Sequence, residues 1–450
     1  MDIKLKEYIE GVKEISHTTL DPKGPGVLRI HLVPPKKIKP GRYWTIILNG
    51  ENILPISLGW AMLLREFINS VNEKSAPLSD EDIDECINEA VKRIKKVFVK
   101  TDKKMLVDDL KEIIQTLVAI SRGEEPNVDM GYMTLASYAK YMAAPHRMDL
   151  MISSMSKDNN WNCNQKCLNC YAGNQKLANT KELTTEEWKQ IIDKLRKAMV
   201  PQITFTGGEP TLRDDLVELV KYSEWFVTRL NTNGKLLTKS LCDELYEANL
   251  DNVQVTFYSS SPAIHNLLVG CDGYNLTVEG IKNAVASGLN VSLNTPLCSL
   301  NKDYLSTIKY GHEELGIKYF TCSGLIMTGN AINDNKSLSS EEIYNILSQA
   351  YLYAKENNCE IIFTTPGAIP SSKLKEMKMM VPSCGACSSN MAITPDGRVV
   401  PCQSWLSSDD LGSIIDEDFN KIWSSKRCKS LRKINAHLND VCPLTKEALK

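Results

Sequence analysis

The sequence predicts an α/β chain with a partial (β/α)6 barrel at its centre, a winged-helix-like βββααα domain before it and a small cysteine-rich domain after it. Three observations carry this. Between residues 147 and 365, strand-like runs alternate with amphipathic helical runs, the pattern of a parallel sheet. Upstream, three short strand patterns precede three helical ones. The fourteen cysteines gather mainly in two stretches, 163–170 and 384–442. At 450 residues the chain exceeds one ordinary core. Its 42% hydrophobic and 24% charged content is that of a soluble globular protein. A net charge of −2 gives no field for nucleic acid or anionic lipid, so neither partner is expected. The start, Met1-Asp-Ile-Lys-Leu-Lys-Glu7, lacks the apolar run of a signal peptide, and no apolar run is long enough to span a membrane. So many thiols in such a chain indicate a reducing compartment, and the cytoplasm is the expectation.

Residues 1–24 read as a short helix and a Pro/Gly linker, Asp21-Pro-Lys-Gly-Pro-Gly26. The predicted domain at 25–123 opens with strands Val27–Val33, Tyr43–Leu48 and Ile53–Ile56. The last two are joined through Asn49-Gly50, a hairpin signal. Helices follow over Leu58–Val71, from a cap at Ser79 to Phe98, and over Met105–Ile120, each with apolar residues at helical spacing. Residues 124–146 read as a linker. From 147 to 365 the predicted strands are Met148–Ser153, Gln202–Thr206, Phe226–Asn231, Asn252–Tyr258, Asn290–Asn294, Tyr319–Ser323 and Glu360–Thr364. Helices centre on 185–198, 214–223, 238–248, 276–287, 302–315 and 340–357. In barrels of this kind chemistry sits in the loops leaving the C-terminal ends of strands.

One such loop follows the first strand and holds Cys163, Cys167 and Cys170 in the pattern C-x3-C-x2-C. Three thiolates on one cubane iron–sulfur cluster leave one iron open for a ligand. Zinc sites favour paired C-x2-C units with a fourth ligand close by, and none lies nearby. After the second strand comes Thr206-Gly207-Gly208-Glu209-Pro210, where glycines let a ligand approach the backbone and a carboxylate can meet an ammonium group. After the third comes the polar turn Asn231-Thr232-Asn233-Gly234.

C-x3-C-x2-C followed by Tyr171, with Gly-Gly-Glu-Pro after the next strand, resembles the radical S-adenosylmethionine (AdoMet) superfamily on a TIM-like barrel over about residues 147–365. The resemblance implies that Cys163, Cys167 and Cys170 hold a 4Fe–4S cluster whose fourth iron is chelated by AdoMet. It places Gly207, Gly208 and Glu209 at the methionine amine and Tyr171 at the adenine. Asn231, Thr256 and Asn294 are weaker candidates for the ribose and carboxylate, each equally a strand residue facing the barrel core. The implied chemistry is reductive cleavage of AdoMet to a 5′-deoxyadenosyl radical that abstracts hydrogen from substrate.

Two further resemblances flank the barrel. Cys384-Gly-Ala-Cys387 and C-x9-G-x4-C from Cys387 to Cys402 match the start of the SPASM extension that holds auxiliary clusters in peptide-modifying radical enzymes. The longer C-x2-C-x5-C-x3-C run is missing, so residues 366–450 are expected to be a twitch-like Fe–S domain with one auxiliary 4Fe–4S cluster. Its ligands would be Cys384, Cys387, Cys402 and Cys442, with Cys428 in reserve and structural zinc the alternative. The 25–123 domain looks like the PqqD-like recognition element that takes a leader peptide as an added strand. Its 16 basic and 13 acidic residues are a weak footprint for DNA.

Together these imply a peptide maturase of ribosomally made precursors, reduced by a partner such as a flavodoxin or ferredoxin, with a thioether cross-link the leading product. Carbon–carbon cross-linking, epimerisation, sulfatase-type maturation and small-molecule chemistry are the alternatives. Cys298, just after the fifth barrel strand, is a weak catalytic candidate for returning a hydrogen atom, and the other thiols read as core residues.

Overall fold

Seven strands of the second half lie parallel in one sheet, in chain order, and that sheet positions the site. The computed structural model describes residues 3–12, 14–20, 28–39, 41–50, 52–75, 77–139, 141–157, 160–333, 335–407, 410–437 and 441–444. It divides into two units: Met1–His146 with Arg196–Pro201, and Arg147–Leu195 with Gln202–Lys450. Among the described residues, no helix is long and apolar enough to cross a membrane.

The first unit holds a four-stranded antiparallel sheet, β1 (Ser16–Leu20), β2 (Leu28–Val33), β3 (Trp44–Leu48) and β4 (Asn52–Ile56), in that order. A helix at Ile3–Gly11 precedes it, and helices Leu58–Asn72, Asp80–Lys95 and Lys103–Ser121 follow. The strand β1 was not expected, and it makes four strands where three were expected. Ser-His-Thr-Thr carries little local strand signal, and β1 exists through its pairing, Ser16 with Leu32 and Leu20 with Leu28. The linker Asp21–Gly26 lies outside the described residues. Asn49 and Gly50 take φ of 52° and 74°, the positive values the hairpin signal requires. Ser79 closes a capping box with Asp82, its hydroxyl accepting from the Asp82 N–H while the carboxylate accepts from the Ser79 N–H. Trp44, Ile46, Phe67, Ile87, Val91 and Ile113 share this unit's core.

In the second unit the strands are β5 (Arg147–Ser153), the small hairpin β6 (Ser156–Lys157) and β7 (Asn160–Trp161), β8 (Gln202–Gly207), β9 (Val227–Thr232), β10 (Asn252–Thr256), β11 (Val291–Leu297), β12 (Tyr319–Gly324), β13 (Glu360–Phe363), β14 (Asn390–Ile393) and β15 (Val399–Val400). The order β13-β12-β11-β10-β9-β8-β5-β14-β15 is an open, mostly parallel sheet, and only the β14–β15 pair is antiparallel. The C-terminal hairpin thus extends the barrel sheet, with Asn390 in register with Arg147. Between β10 and β11 two helices, Pro262–Val269 and Tyr274–Ala286, stand where one was expected. Two helices, Phe419–Trp423 and Lys426–His437, follow β15.

Alternation along the strands gives the barrel a polar lumen. Asn231, Gln254, Thr256, Asn294 and Thr321 are half-buried positions between buried ones. In-register parallel partners share a face, and here Asn231 pairs with Gln254, Thr256 with Asn294, and Asn294 with Thr321. Thr321 Oγ1 donates to Asn294 Oδ1 at 2.9 Å and accepts from Gln254 Nε2 at 3.2 Å.

Candidate functional site

The cysteine loop leaves the end of β5 through the β6–β7 hairpin and is fastened from three directions. Trp161 Nε1 donates to the Gln165 carbonyl at 2.6 Å, bracing the turn from within. The helix Pro262–Val269 offers its last carbonyls, Val269 O to Lys166 N and Leu268 O to Leu168 N, both at 2.9 Å. From the loop after β12, Asn330 donates its backbone N–H to Cys170 O at 2.9 Å and its amide to Cys167 O at 3.1 Å. Two glycines make these approaches sterically feasible. A Cβ on Gly270 would lie 2.3 Å from Lys166 O, and one on Gly329 would lie 2.3 Å from Tyr171 O and 2.4 Å from Cys170 O. Such distances admit no side chain.

All three thiols sit half-buried in this frame. Burial pushes Cys163 up to about 12, and the Glu209 and Cys170 charges add to it. Burial also raises Cys167 well above the usual thiol range, with Cys170, Cys163 and Cys271 adding. Cys170 is raised by burial, against N–H donation from Ala172 and Gly173. Thiols so buried and so close resist ionising unaided, and it is a bound metal centre that turns such a group into thiolates. Three thiols on one short loop are the donor type an iron–sulfur cluster takes, and the loop stands beside the glycine turn: Cys163 Sγ is 3.3 Å from the Gly208 carbonyl.

That turn is built by close packing. Gly207, at φ 135°, pairs with Ser153, and an added Cβ would meet Ser153 O at 2.2 Å; one on Gly208 would meet Ser154 O at 2.7 Å. Glu209 is buried, and burial raises its pKa. Its Oε1 accepts from Thr211 N at 3.1 Å, Thr211 Oγ1 at 2.6 Å and Thr232 Oγ1 at 2.7 Å, while Oε2 accepts from Asn233 N at 2.8 Å. The carboxylate thus locks the turn after β8 to the turn after β9. Tyr171 shares a cluster with Met151, Cys163 and Cys170, and its hydroxyl is hydrogen-bonded to Thr206.

Sequence reasoning missed several neighbours. Tyr258 belongs to the buried cluster against which Cys167 packs, and Cys167 Sγ donates to Gln165 Oε1 at 3.5 Å. Cys271, read as a core thiol, is half-buried beside Cys163 and Cys167 and accepts from Lys235 Nζ at 3.6 Å, while Nζ also reaches Asn164 O at 3.1 Å. These come from loops after β9 and β10 and have no local motif. Cys298 is fully buried in an apolar cluster with Tyr258, Leu268 and Val269, against which Cys167 and Cys271 also pack.

The second thiol set adjoins the first. Charge on Cys442 acts on Cys384, and charges on Cys384 and Cys442 act on Cys402, while Cys387 reaches Cys402. Burial pushes Cys384 up to about 11 and Cys402 up to about 12. Gln175 bridges the two sets: its amide donates to Tyr171 O and, at 3.2 Å, to Ser404 O, and its Oε1 accepts from Leu406 N at 3.1 Å.

His265 ties the clamp helix to the barrel, its Nδ1 accepting from Tyr258 N at 3.4 Å. Burial depresses its pKa to about 4. The folded ring stays neutral down to that pH, whereas the unfolded one protonates near 6.5, so acidification between the two favours unfolding. Going from pH 7.5 to 5 should cost about 2 kcal/mol through this residue. Denaturant titrations at both pH values should show His265→Gln losing less stability on acidification than the natural chain.

A parallel barrel sheet with a three-thiol loop at its first strand, a glycine turn at its second and a cysteine-rich hairpin on its edge defines an iron–sulfur enzyme of the AdoMet-binding kind. Residues 162–311 match the model of the radical SAM superfamily, and residues 384–444 match that of an iron–sulfur cluster-binding domain, SPASM. Among curated relatives, the probable GTP 3′,8-cyclase of Thermococcus kodakarensis is 36% identical over 134 residues, 29% of this chain and 43% of the relative. The chain thus spans less than half the length of that protein. The AdoMet-dependent heme synthase of Oleidesulfovibrio alaskensis is 27% identical over 279 residues, 58% of this chain and 71% of the relative. Two solved structures share the fold. Streptococcus suis SuiB bound to precursor peptide SuiA superposes with a TM-score of 0.59 at 14% identity, covering 86% of each chain. The structure of anSMEcpe with AdoMet and the Kp18Cys peptide gives 0.51 at 17%, covering 64% of this chain and 83% of the other.

Proposed function

We propose that this radical SAM enzyme modifies a ribosomally made precursor peptide, forming a thioether between a cysteine sulfur and a carbon. The observation that carries the reading is the Gln175 bridge, which joins the segment after the cluster loop to the loop holding Cys402. A C–S bond made from C–H and S–H releases two hydrogens, and an electron acceptor beside the radical site suits that loss. When bound, the cluster and AdoMet supply one-electron cleavage and a 5′-deoxyadenosyl radical.

In this reading Cys163, Cys167 and Cys170 hold that cluster. Gly207, Gly208 and Glu209 meet the methionine amine; Glu209 also braces the turn, with three donors on Oε1 and one on Oε2, which leaves Oε2 able to accept a further bond. Tyr171 borders the adenine, and Asn231, Thr256 and Asn294 offer polar groups from the lumen. Cys384, Cys387, Cys402 and Cys442 hold one auxiliary 4Fe–4S cluster. The first unit takes the leader as an added strand on its sheet, whose edge strands are β1 and β4. The precursor SuiA in the SuiB complex, on the same fold, supports a peptide substrate. A flavodoxin or ferredoxin would deliver the electron, and a reducing compartment such as the cytoplasm would keep these thiols competent.

The reconstituted enzyme, incubated with AdoMet, reductant and the short peptide encoded beside it, should lower the peptide mass by about 2 Da per cross-link, with fragmentation placing the bond on sulfur. An unchanged mass with inverted stereochemistry would replace cross-linking with epimerisation. Removing the leader from that peptide should lower turnover by about 100-fold, because docking through it supplies effective concentration. Equal rates on both peptides would remove the leader-binding role.

A further inference from the structure

Behind the cysteine loop, a carboxylate outside both motifs joins them. Glu182 lies just before the helix Thr185–Lys197. Its Oε1 accepts from Ser154 N at 2.8 Å and from Asn162 Nδ2 at 3.1 Å. Asn162 immediately precedes Cys163. The same Nδ2 also donates to Ser154 O at 3.0 Å, and Asn162 N donates to Met155 O at 2.9 Å. The root of the thiol loop is thus pinned to the exit of β5, with one carboxylate oxygen shared between the two.

The other oxygen of Glu182 faces Arg213, with Oε2 3.5 Å from Nη1. Arg213 directly follows the short 3-10 helix Pro210–Leu212 that ends the glycine turn. Its Nη1 donates to Ile152 O at 3.0 Å and to Leu183 O at 3.1 Å. Its Nε and Nη2 grip the Asp215 carboxylate at 2.8 and 2.6 Å, a bidentate pair that fixes the guanidinium plane. On the opposite side of β5, Gly208 N donates to Ser153 O at 2.8 Å, and Cys163 Sγ lies 3.3 Å from Gly208 O. These contacts close a circuit: from Gly208 along the turn to Arg213, then Glu182, Asn162, Cys163 and back to Gly208. Such a circuit fixes one separation, that between the Cys163 sulfur and the Gly208 backbone. Glu182 is the member that belongs to neither of the motifs it joins.

We propose that Glu182 is a positioning residue for AdoMet binding, holding the Cys163 end of the thiol loop in register with the Gly207–Gly208 turn. It acts through Asn162 and Arg213. One molecule that meets an iron and a protein turn together binds well only when both surfaces are held in place, and groups that orient a metal's ligands from behind carry much of that task. The acceptor oxygen matters more than the charge. Without Glu182, Arg213 keeps its bidentate partner Asp215, whereas Ser154 N and the Asn162 amide lose their shared acceptor. The proposal rests on the reading of Cys163 as a cluster ligand and of the glycine turn as the surface for the methionine amine.

The test uses the full-length chain, anaerobically reconstituted, with iron content, AdoMet affinity by calorimetry and the EPR change on adding AdoMet read on each variant. Glu182→Ala should load iron as the natural chain does, because Asn330 and the helix Pro262–Val269 still hold the loop. Its AdoMet affinity should fall by about 10-fold or more, with a weaker EPR change. Glu182→Gln keeps an acceptor oxygen without the charge and should restore most of the affinity. Asn162→Ala cuts the same circuit one link nearer the thiol and should reproduce the loss; it serves in place of Glu182→Ala should that variant fail to fold. The double variant should bind AdoMet no more weakly than either single one, since both break one circuit. Unchanged AdoMet affinity in Glu182→Ala would overturn the proposal, as would a glutamine variant as weak as alanine. Loss of iron in proportion to AdoMet binding would also overturn it, leaving Glu182 a support of the fold alone. A natural chain whose EPR signal ignores AdoMet would instead overturn the reading of the site beneath it.

Discussion

Replacing Cys167 with alanine should abolish turnover, by about three orders of magnitude or more, because the cofactor it helps hold carries the chemistry. The structure explains why two thiols cannot compensate. Cys167 sits at the middle of the loop, its carbonyl held by Asn330 and its sulfur donating to Gln165 Oε1, and it packs against the cluster of Tyr258, Leu268 and Val269. Cys271 is the neighbouring thiol, but Lys235 and the Asn164 carbonyl hold it, and it belongs to a different loop. After anaerobic reconstitution, Cys167→Ala should therefore lose about four irons per chain and the EPR signal that shifts on adding AdoMet, while circular dichroism stays natural. Retention of that AdoMet-responsive signal would show that Cys271 can substitute and that the triad is not the ligand set. The same assay separates the two thiol groups, since Cys402→Ala should keep the AdoMet-responsive signal.

Much of this architecture was legible because it is local. Strands β8 to β13 announce themselves as short apolar runs bounded by turns, and their helices by 3.6-residue spacing, so periodicity suffices. The thiol loop and the glycine turn are contiguous motifs whose chemistry follows from residue type. What escaped depends on contacts between distant residues. Ser16–Leu20 becomes a strand only against β2, and Asn390–Ile393 joins the barrel only by pairing with Arg147–Leu150. Pro262–Val269 is eight residues, too short to stand apart from the helix after it until its last carbonyls are seen gripping Lys166 and Leu168. The role of Glu209 illustrates the same limit at one residue. Its four protein donors come from Thr211, Thr232 and Asn233, two of them on the following strand and turn, contacts that the tetrapeptide does not announce.

Gly207→Ala should separate the glycine turn's contribution from that of the thiols. The residue ends β8 at φ 135°, a conformation that L side chains rarely adopt and that costs about 1–3 kcal/mol. Space is refused as well: the new Cβ would sit 2.2 Å from Ser153 O and 2.8 Å from Ser153 N, both backbone atoms of β5, which is paired on both sides by β8 and β14. Neither side can yield cheaply, because Gly208 N already donates to Ser153 O at 2.8 Å and Glu209 anchors the turn from beyond. The turn must lift away from β5, carrying the Gly208 carbonyl off Cys163 Sγ and spoiling the surface proposed for the methionine amine. AdoMet affinity should fall by about 100-fold, near 2.7 kcal/mol, while the three thiols, whose clamps come from Asn330 and the Pro262–Val269 helix, still load iron. Iron content near the natural value with weakened AdoMet binding by calorimetry would bear this out; equal loss of both would mean the turn serves the cluster itself. Gly329→Ala makes the complementary test, since its Cβ would strike Tyr171 O and Cys170 O and should lower iron loading first. The two glycines thus divide one site into a cofactor-facing turn and a cluster-facing clamp, a division that no single thiol variant exposes.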